Sequence, residues 1–272
     1  MTPDLLQIRH VVLDLDGTIY KGKRLFACTL PFLDLLGSLQ IGYTFLTNNT
    51  SRSKADYLRK LAGFGIQARE SQICTPADAT ITYVRRHYPA IERLAVLGTP
   101  SLCAQFEEAG FLVGWEEPQA VIVGFDTTLD YRRLCRAAFL IQQDLPFVAT
   151  HPDLICPTDE PTVLVDCGSI CACLTAATGR RPVVLGKPDP AILLDLCERL
   201  RLPPSSVAMA GDRLYTDMAM AQAAGALSVL VLTGEATAKE ARAMPQPPDM
   251  VVGDIGEFGR LLSTAHAPQV TP

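Results

Sequence analysis

Short apolar runs alternate with stretches of helical spacing along most of this chain, and that rhythm restricts its fold more than any other feature. Residues 8–14 (IRHVVLD) read as a strand ending in an acid, 30–40 as a helix and 41–47 (IGYTFLT) as a second strand. Residues 51–65 (SRSKADYLRKLAGFG) read as a helix, with a serine near its start and glycines at its end. The pattern restarts at Pro76: a helix to about His87, RLAVLG as a strand, a helix through Phe106, VIVGFD as a strand, a helix from Asp130, and PFVAT as a strand. Then come PVVLG, a helix from Pro190, SVAMAGD, a helix from Thr216, LSVLVLT, and a last strand and helix between residues 249 and 262. Short strands alternating with helices predict parallel βαβ units and an α/β fold.

The composition supports a folded chain. Hydrophobic residues make up 48% of the 272 and charged residues 19%, enough for a substantial core and too apolar for wholesale disorder. The net charge is −5 and no Lys/Arg block appears, which argues against a nucleic-acid backbone as partner. The start, MTPDLLQIRH, does not read as a signal peptide, and no apolar run reaches the roughly 18–20 residues that span a bilayer. A soluble cytoplasmic protein with no membrane partner is the expectation. The nine cysteines, such as Cys28, Cys135 and Cys197, are scattered through apolar segments and read as buried thiols in a reducing compartment. Cys171 and Cys173 form a C-x-C pair with no His or second Cys pair at zinc-site spacing. His10, His87, His151 and His266 are too far apart in sequence to make a local metal motif.

Function is read where polar residues interrupt strand ends, because open α/β sheets bind ligands at the carboxyl ends of their strands. Asp14-Leu15-Asp16-Gly17-Thr18 sends two carboxylates off one strand end, with Leu15 pointing the other way and Gly17 permitting a sharp turn. Two close carboxylates are unfavourable unless a cation or proton separates them. Taken alone, the pentapeptide is equally an Asx turn. Thr47-Asn48-Asn49 offers hydroxyl, amide and helix-start N–H groups as an anion cradle, or else caps a helix. Gly186-Lys187-Pro188-Asp189-Pro190 sets a lysine just before a helix, with Asp189 suited to the N-cap and Pro190 to the first turn. An anion between lysine and helix would be held by both; a solvated surface lysine is the plainer reading. Gly211-Asp212-Arg213-Leu214-Tyr215-Thr216-Asp217 ends an apolar strand in an acid, with a second acid five residues on, and these also suit a turn and a helix start.

Together, and in this order, DLDGT, the Thr after the second strand, GKP and GDRLYTD resemble the four motifs of the haloacid-dehalogenase superfamily of phosphohydrolases. LTNN, GKPDP and GDRLYTD, with a long insertion, resemble its class IIA capped branch, the NagD-like or p-nitrophenyl phosphatase type. The resemblance implies a Rossmann-like doubly wound parallel core (residues 1–78 and 182–272) with the first strand central and the strands of the second and fourth motifs beside it. It also implies an inserted smaller α/β cap domain over residues 79–181. The implied reaction is Mg2+-dependent hydrolysis of a small-molecule phosphomonoester, in which Asp14 attacks phosphorus to give an aspartyl-phosphate. Carboxylate meeting dianion is repulsive by on the order of several kcal/mol in a partly desolvated site, and a hard divalent cation offsets this. The implied ligands are the Asp14 carboxylate, the Asp16 backbone carbonyl and the Asp212 carboxylate, with Asp217 behind them orienting a water or pairing with Lys187. Lys187 with Thr47, Asn48 and Asn49 would bind the phosphoryl oxygens, and Asp16 would serve as general acid and then base.

Within the implied cap, Ala149-Thr150-His151-Pro152-Asp153 resembles a specificity loop often written T-N-P-D, with His151 at the Asn position. His151 would meet a polar part of the substrate, or Pro152 and Asp153 simply build a turn. Tyr20 and Lys21 lie in the loop after the first motif and within possible reach of the leaving group, and residues 167–179 read as a packing helix. A dinucleotide oxidoreductase is disfavoured, since the first strand ends in DLDGT and not G-x-G-x-x-G. A phosphomutase, or a non-catalytic phosphometabolite-binding protein on the same fold, stays open, as do the substrate among nucleotide, phosphoglycolate, pyridoxal phosphate and sugar phosphate, and a homodimer.

Overall fold

A computed structural model of the chain describes residues 3–156 and 161–267. The chain forms two compact units: one from Met1–Leu46, Lys60–Cys74 and Pro190–Pro272, the other from Thr47–Arg59 and Thr75–Asp189.

The first unit is built on a six-stranded sheet in the order Met250–Val252, Leu227–Val231, Val207–Gly211, His10–Leu13, Gly42–Leu46, Ile73–Cys74, with every pairing parallel. Val207–Gly211, His10–Leu13 and Leu227–Val231 are buried at every position, as a parallel sheet covered on both faces requires. The first strand runs between the second-motif and fourth-motif strands, with Leu13 opposite both Phe45 and Ala210. Residues following Leu13 and Ala210 therefore leave the sheet side by side. Helices Thr29–Ser38 and Ile255–His266 pack through Phe32 and Phe258, whose ring centroids lie 6.1 Å apart.

The second unit has its own parallel sheet, in the order Val183–Val184, Phe147–Ala149, Ala120–Val123, Arg93–Leu97, Leu112–Val113. Its period-two alternation sorts the core into two halves. Ala95, Leu97, Val121 and Val123 pack with Ala137 and Ile141 of helix Tyr131–Gln142 and with Ile170 and Leu174 of helix Cys167–Thr178. Leu94, Val96 and Ile122 pack with Val84 of helix Pro76–His87 and with Leu102 and Phe106 of helix Pro100–Glu108. Helices thus cover both faces, and the α/β expectation is met.

Several local readings need correction. The strand read through residue 126 stops at Val123. Pro190 is itself the N-cap of helix Ala191–Leu200, so Asp189 is not. The helix read from Thr216 opens as a π-helical turn, Leu214–Met218, before Ala219–Ala224. Two hairpins, Tyr20–Lys21 with Arg24–Leu25 and Ile155–Cys156 with Leu164–Val165, have strands too short to show a period. The nine cysteines are free, but Cys135 and Cys173 are exposed, not buried. Among the described residues no helix is long and apolar enough to cross a membrane.

One ionisable group sits inside the first sheet. His10 is buried and its Nε2 lies 2.9 Å from Thr44 Oγ1 on the neighbouring strand. Gly42 makes room for it, since a Cβ there would come within 2.5 Å of His10 Nδ1. Burial lowers its pKa from 6.5 to about 4. The unfolded chain takes up this proton below pH 6.5 and the folded one only near pH 4, so stability falls as pH drops through that window. The loss is expected to reach on the order of 3 kcal/mol at most. His10→Gln should flatten the slope of unfolding free energy against pH between 6.5 and 4 in urea titrations, and an unchanged slope would rule His10 out as its source.

Candidate active site

Strand register brings acids that are distant in sequence together in the first unit. Asp14, the residue after Leu13, donates its N–H to Ala210 O at 2.9 Å, which carries the ladder one step beyond the strand. Asp212 follows Gly211 on the adjacent strand. Asp14, Asp212 and Asp217 are only 8%, 4% and 0% exposed, and each offers a carboxylate oxygen within 4.8 Å of the others.

Three loops hold this trio. After Asp14 the chain turns at Gly17, which has φ +93°. Gly17 N donates to Tyr20 O at 2.7 Å and Ile19 N to Leu15 O at 2.9 Å. A Cβ on Gly17 would come within 2.4 Å of Asp212 Oδ2, so only glycine fits. Leu15 and Asp14 are both buried while Asp16 is exposed, so the two carboxylates of the motif do not leave the strand end together as the alternation implied. The loop after Leu227–Val231 closes from another side. Glu235 N donates to Asp212 Oδ2 at 2.8 Å, Ala236 N to Asp212 O at 3.1 Å, and Thr233 Oγ1 donates to Gly17 O. A Cβ on Gly234 would approach Asp212 Oδ2 to 1.9 Å. Asp217 Oδ2 accepts from Arg213 N at 3.1 Å and lies against Gly211. The Arg213 guanidinium reaches back to Glu235 at 3.0 Å. The sequence reading missed the Thr233-Gly234-Glu235 loop, although T-G-E at the end of the LSVLVLT strand is the same kind of signal as the four motifs it used.

Three buried carboxylates this close repel one another, by on the order of 3 kcal/mol per pair at an effective dielectric near 20. An all-oxygen donor set suits a hard divalent cation of the Mg2+ or Ca2+ kind and not a soft one. The trio thus fits such an ion. The exposed Asp16 carboxylate is outside the trio, and Asp217 contributes its third carboxylate.

In the second unit, Lys187 is only 3% exposed, against the reading of a solvated surface lysine. It follows Gly186, whose φ of +72° turns the chain after Val183–Val184. Asn48 brackets its backbone: Lys187 N donates to Asn48 Oδ1 at 2.9 Å, and Asn48 Nδ2 donates to Lys187 O at 3.0 Å. Asn48 Nδ2 also donates to Asp153 Oδ1 at 3.1 Å. Thr47 and Asn49 fold locally, with Asn49 N donating to Thr47 Oγ1 at 3.2 Å and Ser51 N to Asn49 Oδ1 at 2.9 Å. Helix Lys54–Gly63 starts well beyond them, and Ser53 and Asp56 satisfy its start reciprocally. Thr47-Asn48-Asn49 is therefore neither a helix cap nor a donor of helix-start N–H groups.

The Thr150-His151-Pro152-Asp153 segment is less open than the sequence reading allowed. Thr150 and His151 have no exposed surface. The His151 ring lies between two acids, with Nδ1 3.9 Å from Asp153 Oδ2 and Nε2 3.5 Å from Asp166 Oδ1. Asp166 was not singled out in the sequence, where a lone acid before a helix is commonplace. Tyr20 is buried, with Lys60 Nζ 3.6 Å from its ring centroid.

Known proteins match this arrangement along nearly the whole chain. Residues 11–112 match the haloacid dehalogenase-like hydrolase family, and residues 184–258 match a second HAD-hydrolase-like pattern. An acid sugar phosphatase of Staphylococcus aureus is 30% identical over 252 residues, covering 92% of this chain and 96% of that one. The crystal structure of a 4-nitrophenylphosphatase from Thermotoga maritima superposes with a TM-score of 0.90 at 37% identity, over 94% of this chain and 98% of that one. A glycerol phosphate phosphatase of Mycobacterium tuberculosis, solved in complex with magnesium, gives 0.87 at 29% identity, over 96% and 79%. On its motifs, its parallel sheets and these full-length likenesses, the chain belongs to the haloacid dehalogenase-like hydrolase family, in its NagD-like, p-nitrophenyl phosphatase-type branch.

Proposed function

We propose that this protein is a Mg2+-dependent phosphatase of small phosphomonoesters and that its reaction passes through an aspartyl-phosphate on Asp14. The convergence of Asp14, Asp212 and Asp217 carries this reading, because three buried acids held this rigidly call for a cation. The phosphatase names of the similar proteins, and the magnesium in one of them, support it.

The Asp14 and Asp212 carboxylates and the Asp16 carbonyl would hold the metal, with Asp217 beside them. When bound, Mg2+ supplies positive charge that lets a carboxylate approach a phosphoryl dianion. Asp14 attacks phosphorus in line and the ester P–O bond breaks. Asp16, the exposed acid of the motif, gives its proton to the departing alkoxide, then takes a proton from the water that attacks the aspartyl-phosphate. Phosphate leaves and Asp14 is restored. A halide needs no such proton, so Asp16 favours phosphoryl over dehalogenase chemistry. Lys187, Thr47 and Asn49 would receive phosphoryl oxygens. Asn48, whose amide is committed to Lys187 and Asp153, would serve them through the lysine. Residues 79–181 would act as the inserted cap that excludes water and selects the alcohol. A cytoplasmic setting suits nine free thiols.

Asp14→Asn should lower phosphate release from p-nitrophenyl phosphate by roughly a thousandfold or more, with an unchanged thermal melt. Full activity in that variant would remove Asp14 as nucleophile, and a wild-type enzyme that binds phosphomonoesters without releasing phosphate would favour a mutase or a sensor. Chelation should abolish turnover and Mg2+ restore it. Mg2+ should also raise the melting temperature of the wild type, and do so at least about tenfold less potently in Asp212→Asn. Equal hydrolysis with and without metal would contradict the electrostatic basis of the proposal.

A further inference from the structure

His151 and Lys187 leave the carboxyl ends of neighbouring parallel strands, Phe147–Ala149 and Val183–Val184, where Val184 pairs with Ala149. Leu185 N donates to Ala149 O at 3.0 Å, so the pairing runs on to the edge of both loops. The loops then press together. A Cβ on Gly186 would come within 2.7 Å of Thr150 O and 3.0 Å of both His151 Cβ and Asn48 Oδ1.

A continuous run of side chains links these loops. Asp166 is anchored at the start of helix Cys167–Thr178: Cys167 N donates to its Oδ1 at 2.6 Å, and its own N–H donates to Leu154 O at 3.0 Å. His151 Nε2 lies 3.5 Å from that same Oδ1 and 3.5 Å from Thr50 Oγ1. Its Nδ1 faces Asp153 Oδ2, and Asp153 Oδ1 accepts from Asn48 Nδ2. Asn48 in turn holds both backbone polar groups of Lys187. Asn48, Asp166, His151 and Lys187 are all buried, so water does not readily replace a missing member.

We infer that His151 is a positioning residue for Lys187, acting through Asp153 and Asn48, and not a contact to the substrate alcohol. An imidazole is a rigid body with a nitrogen on each of two sides, so one ring spans two carboxylates where a single amide serves one. Placed between Asp153 and Asp166, with Nδ1 3.9 Å from Asp153 Oδ2, the ring would limit the rotamers open to Asp153 by packing and charge, not by a direct hydrogen bond. That leaves Asn48 one orientation in which both of its N–H groups are used. The inference rests on the phosphatase reading above and on Lys187 serving the phosphoryl group.

The experiment measures phosphate release by wild type, His151→Ala, His151→Gln and His151→Asn on p-nitrophenyl phosphate and on glycerol phosphate, each also in a Lys187→Ala background. A group acting through Lys187 does not sense the alcohol. His151→Ala is therefore expected to lose kcat/KM by roughly ten- to a hundredfold, by the same factor on both esters, and to lose nothing further once Lys187 is gone. The Gln and Asn variants hold one carboxylate each and should fall between wild type and Ala; they also keep the test open if the Ala variant does not fold. Full rate in the Asn variant, loss on one ester only, or losses that multiply with Lys187→Ala would overturn the positioning role. A lower melting temperature with unchanged kcat/KM would do the same, leaving His151 merely structural. A wild-type enzyme inert on every phosphomonoester would instead sink the phosphatase reading, and this inference with it.

Discussion

Parallel pairing of His10–Leu13 with Val207–Gly211 is the constraint from which the acidic site follows. The two segments are almost two hundred residues apart in the chain, and nothing local brings them together. Once Leu13 lies opposite Ala210, the next residues on both strands must emerge together at the carboxyl edge, and both strands continue into acids. The energy that brings like charges together comes from elsewhere, from strands buried at every position. A core formed by apolar residues that never touch a substrate thus sustains an unfavourable cluster that a cation can use.

The second unit solves a different problem by similar means. A lysine taken out of solvent loses hydration, and its backbone must still be satisfied. Asn48 supplies one acceptor and one donor to the same residue, which is what a neighbouring strand would have offered. Its remaining donor is spent on Asp153, and the link to His151 and Asp166 follows from that. The family resemblance placed His151 in a specificity loop, and the structure sets its buried ring between Asp153 and Asp166.

How much of this could be read in the sequence depended on how local the cause was. The acids of DLDGT and GDRLYTD were legible because each ends an apolar strand, where a charged residue has no packing reason to be. The helix Pro76–His87 was legible, since a proline at the first helical position marks its start. The Asn48 bracket was not, because Asn beside Thr and Ser is what a helix cap also looks like, and only the structure shows the helix beginning at Lys54. The Pro190 boundary slipped by one residue, because Asp-Pro suits two adjacent cap registers equally. The Thr233–Glu235 loop and Asp166 escaped notice because their importance comes from what lies against them in space.

Gly17 and Gly234 face Asp212 from two sides, each too close to tolerate even a methyl group. A carboxylate confined in this way has surrendered its rotational freedom during folding, before any ion arrives. Binding then need not freeze it a second time, and affinity is not eroded by that ordering cost. The two smallest residues at the site thus act on its most charged one, turning backbone proximity into preorganisation.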